Sequence, residues 1–261
     1  MQAFTYLSPA SVADAVRARG EDAKFVAGGQ SLLGSMKLGL AAPSALVDLG
    51  GIAELRGITV AGGQVTIGAM TPHATVAASA EVQRAIPALA DLAGRIGDRQ
   101  VRNRGTLGGS LANNDPAACY PAAVLGLGAT VHTDRRSIPA DAFFKGLYET
   151  ALDDGEVIAS VSFPIPVKAA WQKFKQPASR FSIVGVFVSQ GPQGVRVAVT
   201  GAGAGVFRAS AIEQALSASW SAAAAAAVKV SADGLNSDLH GSAEYRAALI
   251  PVLASRAVAA T

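Results

Sequence analysis

Apolar positions along the chain change period several times, and each change predicts an element. After Ser8-Pro9, a cap followed by proline at the first helical position, Val12, Ala15, Val16 and Arg19 follow helical spacing until Gly20 stops the run. Lys24-Phe25-Val26-Ala27 predicts a short strand running into Gly28-Gly29-Gln30-Ser31, and Leu32, Leu33, Met36 and Leu40 then return to helical spacing. Residues 45–49 read as a buried strand. Residues 57–60 and 65–67 read as a hairpin turned at Gly62-Gly63. One helix starts at Thr71-Pro72, and a second spans residues 86–96, where Ile86, Leu89, Leu92, Ala93 and Ile96 share a face.

A second glycine-rich unit occupies residues 102–116, with Thr106-Leu107-Gly108-Gly109-Ser110 read as a loop and Asp115-Pro116 as a turn. Pro121 breaks any continuous helix from Pro116, so a new helix is expected to restart there and reach Leu127. Residues 156–163 predict a strand ended by Pro164-Ile165-Pro166, and the pattern changes near residue 168. Beyond it, residues 182–189 and 195–199 alternate around a Gly-Pro-Gln-Gly turn as an antiparallel hairpin. Helices over 208–216, 222–230 and 242–260 follow, the last capped by Ser242. The expected class is α+β. A first domain of two α/β parts, about 1–55 and 56–168, precedes an antiparallel sheet with helices over 169–261.

Composition narrows the chemistry. Half of the 261 residues are hydrophobic and only 16% are charged, which supports a large buried core and excludes disorder. A net charge of +3 is no basic sheath for nucleic acid. One cysteine, Cys119, cannot supply a disulfide, an iron–sulfur cluster or a structural zinc site, and three scattered histidines predict no protein-held metal. No apolar stretch reaches the ~20 residues of a membrane span and no signal segment opens the chain, so the expected location is the cytoplasm.

The two glycine-rich units carry the candidate chemistry. Glycines let successive backbone N–H groups converge on an oxyanion, and a following helix adds partial positive charge, so a pyrophosphate is the natural guest. Ser31, Thr106 and Ser110 add hydroxyls, and Asp115 is placed to accept from a ribose. Neither unit matches GxGxxG or GxxxxGK[ST], so Rossmann and P-loop mechanics are not implied. Two ordinary tight turns remain the plain alternative.

These residues resemble a known family. Ala27-Gly28-Gly29-Gln30-Ser31-Leu32-Leu33, Met36-Lys37-Leu38, the 102–110 unit with Asp115-Pro116, and residues 238–246 with Arg256-Ala257 resemble, in order and spacing, the FAD-binding medium subunit of the molybdenum hydroxylases, the family of aerobic carbon monoxide dehydrogenase and xanthine dehydrogenase. The resemblance implies a vanillyl-alcohol-oxidase-like FAD domain and an FAD extended between it and the C-terminal part. It implies cofactor contacts at Lys24, Val26, Ala27, Gly28, Gly29, Gln30, Ser31, Leu32 and Leu33, then at Thr106, Gly108, Gly109, Ser110, Asn113 and Asp115. It further implies Ile158, Lys175 and Phe181 at the flavin, with Lys175 favouring the reduced form electrostatically. No catalytic acid, base or metal ligand is expected in this chain.

Implied partners are a large molybdopterin subunit and a small subunit with 2Fe–2S clusters, in a dimer of heterotrimers. Electrons would pass through FAD to an external acceptor. Asn113-Asn114 and Gly39 depart from the family's usual residues, and the chain lacks the cysteine-bearing insertion of relatives with an extra cluster. The alternatives are a self-sufficient flavoenzyme of the same fold and an assembly subunit without FAD. His73, His132 and His240 read as surface or hydrogen-bonded structural residues, Trp171 and Trp220 as packing, and Cys119 as a buried small residue. Arg95, Arg99, Arg102 and Arg104 form a cationic run that suits either a solvated helix end or an anionic partner.

Overall fold

Ser11, not Ser8, opens the first helix. Its backbone is extended and its hydroxyl accepts from the Asp14 amide, a cap that Ser8-Pro9 imitates in sequence but does not form. The computed structural model describes residues 2–261. Its first unit consists of β1 (Thr5–Leu7), α1 (Val12–Ala18), β2 (Ala23–Val26), α2 (Leu32–Lys37) and β3 (Ala45–Asp48). The three strands are parallel in the order β1-β3-β2, so the loop after β2 leaves at the carboxyl edge of the sheet. Such edges are where open α/β sheets present ligand sites.

The second unit begins with the hairpin β4 (Ile58–Ala61) and β5 (Gln64–Gly68). Its turn takes positive φ at both Gly62 and Gly63, as a two-residue hairpin loop demands. Six helices follow: α3 (His73–Ala78), α4 (Ala80–Ala85), α5 (Pro87–Gly94), α6 (Arg99–Arg104), α7 (Leu107–Asn113) and α8 (Tyr120–Gly126). The expected helix over 86–96 is α5 alone. Pro87 starts it, and α4 before it, which the periodicity did not reveal, is capped by the Ser79 hydroxyl on the Val82 amide. β6 (Thr130–Thr133), β7 (Ser137–Pro139), α9 (Ala140–Phe143), the small hairpin β8 (Phe144–Gly146) and β9 (Glu149–Thr150), and β10 (Ile158–Pro164) complete the unit. The five-stranded sheet runs β4-β5-β10-β6-β7, with all pairs antiparallel. Its inner face and α3, α5, α7 and α8 share one core that includes Leu89, Leu92, Leu107, Tyr120 and Phe163.

The third unit is a meander of β11 (Lys168–Lys175), β12 (Ser182–Gly191), β13 (Gly194–Thr200) and β14 (Phe207–Arg208), followed by α10 (Ser210–Ala218), α11 (Ala222–Ala226) and α12 (Ala243–Ala259). β12 is buried over its first eight residues because α12 covers one face and α8 the other. α11 is shorter than the expected 222–230: Val228 and Val230 leave the helix and pack on the core beneath this sheet. Ser242 caps α12 through the Tyr245 amide, as its position predicts.

One buried cation ties this third unit together. The Arg246 guanidinium, on α12, donates to Ile183 O at 2.6 Å, to Gly201 O at 2.9 Å and to both Asp238 oxygens. Arg246→Met leaves two interior carbonyls without donors, and chemical denaturation should show a loss of about 3 kcal/mol. An unchanged midpoint would contradict this accounting. Glu156 provides a pH-dependent tie. Hydrogen bonds from Arg136, with others from the Asp153 amide and Thr133, hold its carboxyl at about 2, below the 4.5 of a free glutamate. Because the folded value is depressed, this stabilisation is complete above about pH 4.5 and disappears as the pH falls towards 2. In paired pH titrations of stability, Glu156→Gln should be less stable than the parent near neutrality, with the gap closing across that window. A gap independent of pH would overturn the assignment.

Candidate cofactor-binding cleft

The loop after β2 and the first turn of α7 pack directly on each other. A Cβ built on Gly28 would lie 2.1 Å from Arg104 O, and one on Gly109 would lie 2.9 Å from Thr106 Oγ1 and 3.4 Å from Ala27 Cβ. Gly28 therefore excludes a side chain so that the loop can meet the end of α6, whereas a side chain on Gly109 would press on the Thr106 hydroxyl that caps α7. Gly29, at φ +71°, turns the chain into α2.

Their backbones are not used alike. Among the described residues, the amides of Ala27, Gly28, Gly29, Gln30, Ser31 and Leu32 have no protein acceptor. The expected second loop is instead the start of a helix: Thr106 is its cap, and Gly108, Gly109 and Ser110 lie in its first turns. The amides there are consumed, Leu107 by Thr71 O, Gly108 by Ala69 O, Gly109 by the Thr106 hydroxyl and Ser110 by Thr106 O. The expectation that both segments offer amides is corrected accordingly. The second contributes closeness, the Ser110 hydroxyl and Asn113.

A cleft of about 680 Å³ runs from these segments along the 155–158 turn to the β11–β12 connection. That is within the range of small-molecule sites. Of the residues named from the sequence, Lys24, Ala27, Gly28, Gly29, Gln30, Ser31, Leu32, Thr106, Gly108, Gly109, Ser110, Asn113, Asp115, Ile158 and Phe181 line it. Three do not. Val26 points into a small core with Met36 and Leu46, on the opposite strand face from Ala23 and Phe25. Leu33 lies on the far side of the turn, against Gly29. Lys175 is exposed beyond the cleft: the register shift between Phe174 and Lys175 breaks the alternation, so Lys173, two residues earlier, lines the cleft instead.

Several lining residues carried no sequence signal. Phe25, Leu49, Met70, Ile96, Val101, Leu152 and Val157 make the walls largely apolar. Asp115 is already engaged, accepting from the Ala117 amide at 2.8 Å and the Tyr148 hydroxyl at 3.4 Å. His73 is buried, not a surface residue, and its Nδ1 has no partner. Burial lowers its pKa to about 4, with the positive charge of Arg102 acting in the same direction, so it stays neutral at pH 7. His132 does take the structural role expected, bonded to Ser137 and Ser162. Cys119 is buried as expected, but at the cleft wall and 3.2 Å from Lys173 Nζ. Arg102 donates to Ile96 O and Gly97 O, so this member of the cationic run helps to close the loop before α6. No cluster of metal-ligating side chains occurs among the described residues.

The donor set suits a dinucleotide: six consecutive amides for a diphosphate at one end, and largely apolar walls for ring systems beyond. The comparisons agree. Residues 2–166 match the family model described as the FAD binding domain in molybdopterin dehydrogenase. The nicotine 6-hydroxylase medium subunit of Paenarthrobacter nicotinovorans is 37% identical, with 99% of this chain and 97% of that one covered. The carbon monoxide dehydrogenase medium chain of Hydrogenophaga pseudoflava is 36% identical over 98% and 96%. Among solved structures, the reconstituted CO dehydrogenase from Oligotropha carboxidovorans superposes with a TM-score of 0.89 at 31% identity, covering 99% of this chain and 97% of that one. With its fold, its cleft and its relatives in agreement, this chain belongs to the FAD-binding medium subunits of the molybdenum hydroxylases, a family of oxidoreductases.

Proposed function

We propose that the chain is the electron-transfer subunit of a heterotrimeric molybdenum hydroxylase, standing between the 2Fe–2S clusters of a small subunit and an external acceptor. A large molybdopterin subunit would oxidise the substrate, and the assembly would be a cytoplasmic dimer of heterotrimers. The observation that carries this reading is the run of unengaged amides from Ala27 to Leu32 at the head of an apolar cleft. The near-complete coverage of medium chains from multi-subunit dehydrogenases supports the same assignment.

FAD, when bound, supplies the exchange between single-electron and two-electron carriers. The protein's own residues do the rest. The amides of Ala27 to Leu32 would hold the diphosphate, and Ser110 and Asn113 would add side-chain donors beside them. Gly28, by admitting the end of α6 against the loop, would fix the direction of those amides. Ile158, Val157 and Leu152 would exclude water from the ring-binding length, and Phe181, more than half exposed at its outer end, would cover it. None of these steps asks the protein for a proton, which fits a site that orients a carrier.

Purified with its partner subunits, the chain should show a flavin absorption band and release FAD, not FMN, on denaturation. Colourless protein that still assembles would overturn the reading. Gly28→Ala should weaken FAD binding at least tenfold in a fluorescence titration, because its Cβ collides with a main-chain carbonyl and pushes the amides out of line. Circular dichroism separates this from unfolding. Undiminished affinity in a folded variant would mean that the loop does not hold the cofactor.

A further inference from the structure

One pair of cleft residues lies outside the Ala27–Leu32 amide run. Lys173 is nine-tenths buried on β11, yet it forms no ion pair with a carboxylate; its ammonium donates to Arg95 O at 3.1 Å and to Cys119 Sγ at 3.2 Å. A buried cation without a counter-charge costs several kcal/mol and needs a reason to persist. Its sulfur partner is equally confined. Cys119 stands at the start of α8, is buried in the apolar core and, among the described residues, has one other polar partner, the Ser182 hydroxyl, at 3.6 Å. It is the chain's single cysteine, so no internal disulfide can protect it from oxidation. Both residues line the cleft, which gives a small oxidant access from solvent, and the Arg95 carbonyl keeps the lysine from swinging away.

We propose that Cys119 and Lys173 are a modification site: a reversible sulfur–nitrogen cross-link formed when a hydroperoxide enters the cleft. The thiol first takes one oxygen, with the peroxide O–O bond breaking: Cys–SH + ROOH gives Cys–SOH + ROH. Sulfur is oxidised by two electrons and the peroxide is reduced. The lysine nitrogen then displaces the hydroxyl: Cys–SOH + Lys–NH3⁺ gives Cys–S–NH–Lys, water and a proton released to solvent. Condensation of a sulfenic acid with a nitrogen is a recognised end of the first oxidation stage, and a thiol reductant restores both side chains. The link ties β11 to the start of α8 across the cleft wall and removes the buried positive charge. It also spares Cys119 from the irreversible sulfinic and sulfonic stages. The chemistry needs the pair and an open path through the cleft, and it does not require a bound dinucleotide.

Peptide mapping of the full chain after treatment with hydrogen peroxide decides the matter. Expected are a Cys119 peptide joined to a Lys173 peptide at a mass two hydrogens below their sum, loss of tryptic cleavage after Lys173, and recovery of both peptides after dithiothreitol. In Lys173→Met, the same dose should raise sulfinic acid at Cys119 at least fivefold over the parent. Unmodified Cys119, or sulfenic, sulfinic or sulfonic acid at Cys119 beside a freely cleaved Lys173 in the parent protein, would overturn the proposal whether or not the variant folds.

Discussion

The structure depends on a close approach of two backbones. Gly28 admits the carbonyl of Arg104 at a distance no side chain would allow, which brings the loop after β2 against the end of α6 and the start of α7. Everything at the head of the cleft follows from it. The α7 segment satisfies its own amides, through the Thr106 cap and the carbonyls of Ala69 and Thr71, and becomes a rigid wall. The loop held against that wall keeps six amides in reserve. Ala27, Gly28, Gly29 and Leu32 are half-buried and Gln30 and Ser31 exposed, so the run faces the cleft and solvent with its donors free for an anion.

The three larger sheets distribute the work. The parallel sheet presents the loop at its carboxyl edge; the five-stranded sheet, through α7, presents the opposing wall; the antiparallel meander closes the far end with the β11–β12 connection. Two of them have a charged tie of their own. Arg246 binds α12 to the meander, and Glu156 with Arg136 fixes the turn that leads into Ile158. The cleft thus lies where the three units meet, a common setting for cofactor sites.

Much of this was legible in the residues, for identifiable reasons. Alternation and paired glycines locate the hairpins, since period two and the Gly62-Gly63 turn are local properties. The glycine-rich units could be recognised as two halves of one place through family resemblance, and the contact between Gly109 and Ala27 bears out their proximity. What failed was tertiary. Thr106-Leu107-Gly108-Gly109 reads as a loop because glycine disfavours helix, yet Gly108 sits in one because nothing larger fits beside Ala69. Lys175 fits the sequence pattern, but a register shift on the neighbouring strand hands the cleft position to Lys173. Neither the carbonyls that consume the α7 amides nor the burial of His73 leaves a trace in local sequence.

The central claim is that the amides from Ala27 to Leu32 are the anchor for a dinucleotide diphosphate. Hydrogen exchange at single-residue resolution, on the chain with and without FAD, tests it most directly. The account predicts strong slowing of exchange at residues 28–32 on addition of FAD, with little change at Gly108 and Gly109, whose amides are already bonded. Slowing confined to residues 107–110, or none in the 28–32 loop at saturating FAD, would contradict it.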